Sequence, residues 1–230
     1  MTTTTSRLVG NRLALVGALI YFMEWIGIVI APSLPTDKLG VGKASIVAAY
    51  AQHPAKTAFL AGWLSVVILG RIAFCVGLRD AFRPSPRSLR LADLAIGAMI
   101  VSVTIEIVGY GLVATGAWLA DAGAAPGAIV ALDAADTTIF PLVLAPLGAS
   151  VFCGALAMLL SGLFARWLAW LGLVAGGLLV LGGVELSAAA GSSGLLHDIG
   201  GTPVPLVWIW LLATGVVLFR ATPRPRATAA

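Results

Sequence analysis

The stretch Ala18–Pro32 reads ALIYFMEWIGIVIAP. It is apolar enough to sit in a bilayer, yet it carries a carboxylate, Glu24, flanked by Tyr21 and Trp25. Two readings compete for such a segment: the core helix of a water-soluble domain, or a membrane span with a polar purpose. Composition decides between them. Of 230 residues, 60% are hydrophobic and 10% are charged, against about a quarter charged in a soluble domain. Mean hydropathy is +1.02. So few charges cannot cover a globule, and the chain reads as an all-α integral membrane protein formed as one helical bundle over residues 1–230. Its 27 glycines suit membrane helices, where small residues let backbones approach.

A span needs about 20 predominantly apolar residues. Six segments meet this requirement, at about 12–32, 57–79, 91–119, 136–161, 165–188 and 203–220. Pro32, Pro35, Pro84 and Pro86 punctuate the connections, and Pro203 and Pro205 suit the first turn of the last helix. The tails 1–8 and 221–230 are low in complexity and read as disordered. The start is basic, but no small-residue cleavage site precedes Pro32, so the first segment reads as a retained span.

The basic residues alternate with the spans. Arg7 and Arg12, then Arg79, Arg83, Arg87 and Arg90, then Arg166, then Arg220, Arg224 and Arg226 fall on one side. Lys38, Lys43 and Lys56 fall on the other, beside Asp37, Asp121 and Asp198. The side richer in arginine is cytoplasmic by the positive-inside rule, which makes both termini cytoplasmic. This scattering also argues against nucleic acid as a partner, despite a pI near 9.5. Cys75 and Cys153 lie in apolar runs and read as small buried hydrophobes.

Four charges remain well inside the spans: Glu24, Arg71, Glu106 and Glu185. Asp93 lies at the edge of the third span, and Asp133 and Asp136 where the fourth begins. A charge at the bilayer centre costs at least about 2.5–3.5 kcal/mol, so each calls for a partner, a cavity or neutralisation. At about 1.5 Å per residue, Glu24 and Glu106 fall near mid-membrane and Glu185 near the outer end of the fifth span. Arg71 falls nearer the cytoplasm. Tyr21, Glu24 and Ile28 share one helical face with Gly17, with Trp25 at its edge. Ser102, Glu106, Gly109 and Tyr110 share another. Acids among small, polar and aromatic side chains describe a lined pocket. Alternatively the acids pair with Arg71, or bond to a serine or tyrosine, and hold helices together. One arginine cannot satisfy three glutamates.

Other residues read more plainly. Trp118, Trp167, Trp170, Trp208 and Trp210 match an interfacial aromatic belt. His53 and His197 fall in outer connections without metal-ligand spacing, so neither a metal nor a cofactor is expected. Asp136 reads as the N-cap of the fourth helix, before TTIFPLVL. Phosphate loops, diphosphate-binding Asp repeats and nucleophile elbows are missing from the sequence.

A carboxylic acid in an apolar, aromatic site can stay protonated and give its proton to a lipophilic substrate. Aromatic faces then stabilise the resulting cation. On the residues YFMEW and TIEIVGYG, the chain resembles the small membrane-bound terpene cyclases of natural-product pathways. That resemblance implies a helical bundle that cyclises a prenylated substrate with acids inside the membrane. Glu24 and Glu106 are then the expected donor and partner, Tyr21, Trp25 and Tyr110 shape the pocket, and Ser102, Arg71 and Glu185 are further candidates. The segment SIVAAYAQHPAKTAFLAGWLSVVILGRIAFCVGLRDAFRPSPRSLRLADL resembles uncharacterised six-helix bacterial membrane proteins. With the alanine-, glycine- and arginine-rich composition, this implies the plasma membrane of a bacterium such as an actinomycete. A proton-coupled carrier or resistance protein, or a non-catalytic assembly partner, uses the same acids differently, and both readings stay open.

Overall fold

The computed structural model describes residues 11–30, 42–188 and 203–221, and these are almost wholly helical. In chain order the helices are α1 (Arg12–Phe22), α2 (Glu24–Ile30), α3 (Lys43–Gln52), α4 (Pro54–Val67) and α5 (Leu69–Asp80). Then come α6 (Pro86–Asp121), α7 (Pro126–Ser161), α8 (Arg166–Ala188) and α9 (Pro203–Arg220). Arg7, Lys38, Asp37, His197, Asp198, Arg224 and Arg226 lie outside the described residues, as do both expected disordered tails but for Ala221.

Local chemistry sets the helix ends. Asn11 caps α1 by accepting from the Leu13 N–H at 2.7 Å. Its amide also donates to Asp80 Oδ2 at 2.7 Å, tying the start of α1 to the end of α5. Proline opens α4, α6 and α7, where its missing N–H costs no intrahelical bond. The α7–α8 turn requires Gly162 at φ 65°, a left-handed conformation that a side chain would strain.

Among the described residues, four helical segments are long and apolar enough to cross a membrane: Pro54–Asp80, Pro86–Asp121, Pro126–Ser161 and Arg166–Val184. Val204–Arg220 is a shorter apolar helix. Their outward faces carry Phe59, Leu94, Trp118 and Val184, each more than 60% exposed. Such a surface suits lipid and not water, so the chain reads as a multi-pass membrane protein. Helices α6 and α7 have 36 residues each, about 54 Å at 1.5 Å per residue. That exceeds a hydrocarbon core of about 30 Å, so both reach past it or cross it tilted.

Helix α7, which carries the expected fourth span, corrects one expectation. It starts at Pro126, so Asp136 is not an N-cap but lies well inside α7, where it and Asp133 are buried. Alanine and leucine in PGAIVALDAA propagate a helix well enough to carry both aspartates. The α6–α7 pair forms an antiparallel hairpin and the largest packing unit; α8 lies along α7, α4 along α6, and α9 against α1 and α8.

Helix α5 packs on α1 through small residues. A Cβ at Gly70 would stand 2.7 Å from the Tyr21 backbone nitrogen, and one at Gly77 would stand 2.8 Å from Ala14 Cα. Both obstacles are backbone, which cannot step aside as a side-chain end can. This close approach follows the small-residue rule for membrane helices. Gly70→Val should therefore destabilise the protein by about 1–3 kcal/mol or more through overpacking. Gly62→Ala and Gly97→Ala, with open space at the new Cβ, should be neutral or up to about 1 kcal/mol stabilising. Thermal unfolding in detergent measures the contrast, and equal melting temperatures for the three variants would contradict it.

Candidate functional site: a buried ion pair beside an unpaired carboxyl

Two helices are interrupted where the site forms. At Met23 (φ −65°, ψ −8°) the chain tightens: its N–H bonds both Leu19 O and Ile20 O, and Ile26 N–H bonds Met23 O at 3.1 Å. The Trp63 indole also donates to that carbonyl, at 3.2 Å. A matching break occurs at Ile68 (φ −65°, ψ −20°), where Arg71 N–H bonds Ile68 O at 3.0 Å. Three-residue spacing of this kind within a helix often accompanies functional positions. Glu24 then opens α2, and Arg71 lies in the first turn of α5.

Arg71 is 1% exposed. Its Nη2 donates to Glu106 Oε2 on α6, forming an ion pair almost wholly removed from solvent. Tyr110, one turn along α6, donates its hydroxyl to Glu106 Oε1 at 2.9 Å. Both oxygens of Glu106 are therefore engaged, and one of them faces a full positive charge. The guanidinium carbon also lies 4.9 Å from the centre of the buried Tyr21 ring, within cation–π range.

Glu24 is placed differently. Arg71 and Glu106 are its charged neighbours, with the Tyr21 hydroxyl and the Trp208 indole beside it. Its Oε2 is buried without a hydrogen-bond partner among the described residues, as are Arg71 Nε and Trp208 Nε1. The Trp208 ring centre lies 4.8 Å from that of Trp25 and 6.2 Å from that of Tyr21. Trp25 is 40% exposed on the outer surface of the bundle. The site thus has an engaged carboxylate, a second carboxyl beside it without its own counter-charge, and an aromatic wall reaching the exposed surface.

Tyr21, Glu24, Arg71, Glu106 and Tyr110 come together from α1, α2, α5 and α6. Trp25 stands at the rim. Ser102 is fully buried, and its hydroxyl donates to Val143 O on α7 at 3.3 Å, close to the internal Pro146. That bond commits it to joining α6 and α7. The side chain of Glu185 lies outside the described residues; its backbone belongs to α8, which packs on α7 and α9. Among the described residues no three His, Cys, Asp or Glu side chains gather into a metal-binding group. His53 is exposed at the α3–α4 junction.

Of the tryptophans expected in an interfacial belt, Trp118, Trp167 and Trp170 are strongly exposed, and the two others are not. Trp210 is 1% exposed, edge-on to Phe74 at 5.4 Å, and Trp208 joins the site. Their spacing carried the signal: two residues turn about 200° around a helix, so both cannot face lipid. A further acidic pair lies nearby on α7. Tyr50 donates to Asp133 at 3.3 Å, and Asp136 Oδ1 sits against Gly109, the residue preceding Tyr110.

Removing one partner of a buried ion pair leaves an uncompensated charge and costs about 3–5 kcal/mol, whereas replacing both with apolar groups is often near neutral. Arg71→Met should therefore cost about 3–5 kcal/mol, and Arg71→Met with Glu106→Leu distinctly less. Denaturant unfolding of the purified protein measures both. A double variant as unstable as the sum of the single ones would mean that the pair is not coupled.

Set against protein-family models, curated proteins and solved structures, the chain matches none of them.

Proposed function

We propose that the chain is a multi-pass protein of a bacterial plasma membrane with six spans and both termini in the cytoplasm. In this reading it is a lipid-phase enzyme whose acid is Glu24 and whose substrate is a prenylated, terpenoid molecule. The arginine-rich segments on one side support the orientation. The carrying observation for the chemistry is the buried, unpartnered Oε2 of Glu24 among Tyr21, Trp25 and Trp208.

Charge balance assigns the roles. Arg71 can neutralise one carboxylate, and Glu106 takes it, with Tyr110 as a second donor. Glu24 is then the acid that carries a transferable proton. The substrate enters from the lipid beside Trp25. Protonation of a terminal epoxide oxygen or an alkene by Glu24 opens a carbocation, which the faces of Tyr21, Trp25 and Trp208 stabilise. Ring closure moves the charge along the chain. Loss of a proton to the carboxylate left on Glu24, or to Glu106, ends the reaction and makes product and substrate isomers. The Arg71–Glu106 pair keeps a compensated charge beneath the acid.

A second reading has its own support. The breaks at Met23 and Ile68 flank the charged cluster, and interrupted helices build the binding sites of many carriers. A proton-coupled carrier would use Glu24 as its exchanging group.

Membranes containing the protein, incubated with linear prenylated aromatics and their terminal epoxides, should yield a product of unchanged mass and shifted retention. Glu24→Gln should lower its rate by about 10²–10⁴, the usual worth of a general acid. An unaffected Glu24→Gln would remove the acid from its role. Solute uptake driven by a pH gradient, without isomerisation, would decide for the carrier.

A further inference from the structure

The arginines at the far end of the bundle from Asp133 are not alike. Arg79 is paired with Asp93, and Arg83 with Asp80 at 2.9 Å. Arg87 and Arg90 are exposed and have no ion-pair partner among the described residues. Both line an open surface groove together with Leu91, Leu156 and Leu160.

Its position follows from the hairpin. Ser150 donates to Ala95 O at 2.7 Å and Ser102 to Val143 O, so α6 and α7 run antiparallel in register. This register brings the start of α6, with Arg87, Arg90 and Leu91, beside the end of α7, with Leu156 and Leu160. Leu91 and Leu156 are partly buried against the core, and Leu160 is 43% exposed. Helix α7 ends at Ser161, and the strongly exposed Trp167 follows within one short turn and the start of α8. An outward tryptophan at a helix end marks the level of lipid headgroups. The arginines and leucines thus share one level of the hairpin, and side chains lean toward a helix's N-terminus, so Arg87 and Arg90 reach outward from α6 to headgroup depth while Leu156 and Leu160 lean inward from α7.

We infer that this groove binds one anionic phospholipid, its phosphate held by Arg87 and Arg90 and its acyl chain lying on Leu91, Leu156 and Leu160. The chemistry matches at both ends of the ligand. Guanidinium groups take phosphate oxygens in a fixed fork geometry, and the leucines supply apolar contact that a soluble phosphate ester could not use. Basic pockets between membrane helices recognise anionic headgroups in this way. The site lies apart from Glu24 and does not depend on what chemistry Glu24 performs.

Native mass spectrometry of the full-length protein, purified in detergent and offered equal phosphatidylglycerol and phosphatidylcholine, tests the assignment. Wild type should retain one phosphatidylglycerol with about tenfold or greater preference, since each arginine contributes about that order of magnitude or less. Arg87→Gln with Arg90→Gln should lose the preference while keeping the wild-type melting temperature. Should that variant fail to fold, Leu156→Trp, which fills the groove and keeps both charges, should lose the bound lipid. Equal retention of the two lipids by wild type, or an unchanged preference in a folded arginine double variant or in Leu156→Trp, would overturn the proposal. Complete displacement of the lipid by millimolar glycerol phosphate would overturn it as well, because the leucines would then contribute nothing.

Discussion

A guanidinium cannot enter a bundle of apolar helices without its counter-charge. Arg71 is 1% exposed, and in surroundings of low dielectric its charge must be matched within a few ångströms. Glu106 meets that need from another helix, Tyr110 holds the far oxygen of the same carboxylate, and the face of Tyr21 closes over the guanidinium. This demand fixes the rotation of α6 against α5 and the depth at which both lie. Gly109, less than one turn along α6 from Glu106, faces Asp136 on α7.

Close packing makes the pair geometrically possible. Glycines on α1 and α5 bring those backbones together, so Arg71 enters from a helix that touches the one carrying Tyr21. The break at Met23 then turns the chain so that Glu24 and Trp25 start a new helix above the ion pair, and Trp208 comes in from α9 to complete the wall. At this break the Met23 carbonyl accepts from both the Ile26 N–H and the Trp63 indole, which ties the start of α2 to α4. Residues four apart in sequence thus serve opposite ends of one site: Tyr21 covers the cation, while Trp25 is exposed at the surface.

The distribution of charge is polarised along the bundle. Toward one end the arginines pair with Asp80 and Asp93 or stand free at Arg87 and Arg90; toward the other, Asp133 and Asp136 are buried between helices. Arg71, Glu106 and Glu24 lie between these regions, where one positive charge faces two carboxyls. An odd carboxyl beside a compensated pair is an arrangement suited to exchanging a proton, whether with a lipid-soluble molecule or across the membrane. Structural pairing alone accounts for Arg71 and Glu106. It gives no role to the unpartnered oxygen of Glu24.

Much of this was legible in the residues alone. Apolar length and the scarcity of charge specify long lipid-facing helices, because hydrophobic burial depends on composition over a window of residues. Spacing of three and four placed Glu106 with Tyr110, and Glu24 with Tyr21, because neighbours on a helix are set by its pitch. Tertiary structure decided what pitch cannot reach. Arg71 engages Glu106, which lies 35 residues away on another helix, and only the packing of α5 against α6 brings the two together. Trp208 leaves the expected belt because α9 turns that side chain inward against α2, and α7 begins at Pro126 because helix propagation outweighs two aspartates that burial between helices can accommodate. Local periodicity is written in the chain; the partner across the interface emerges only when whole helices pack.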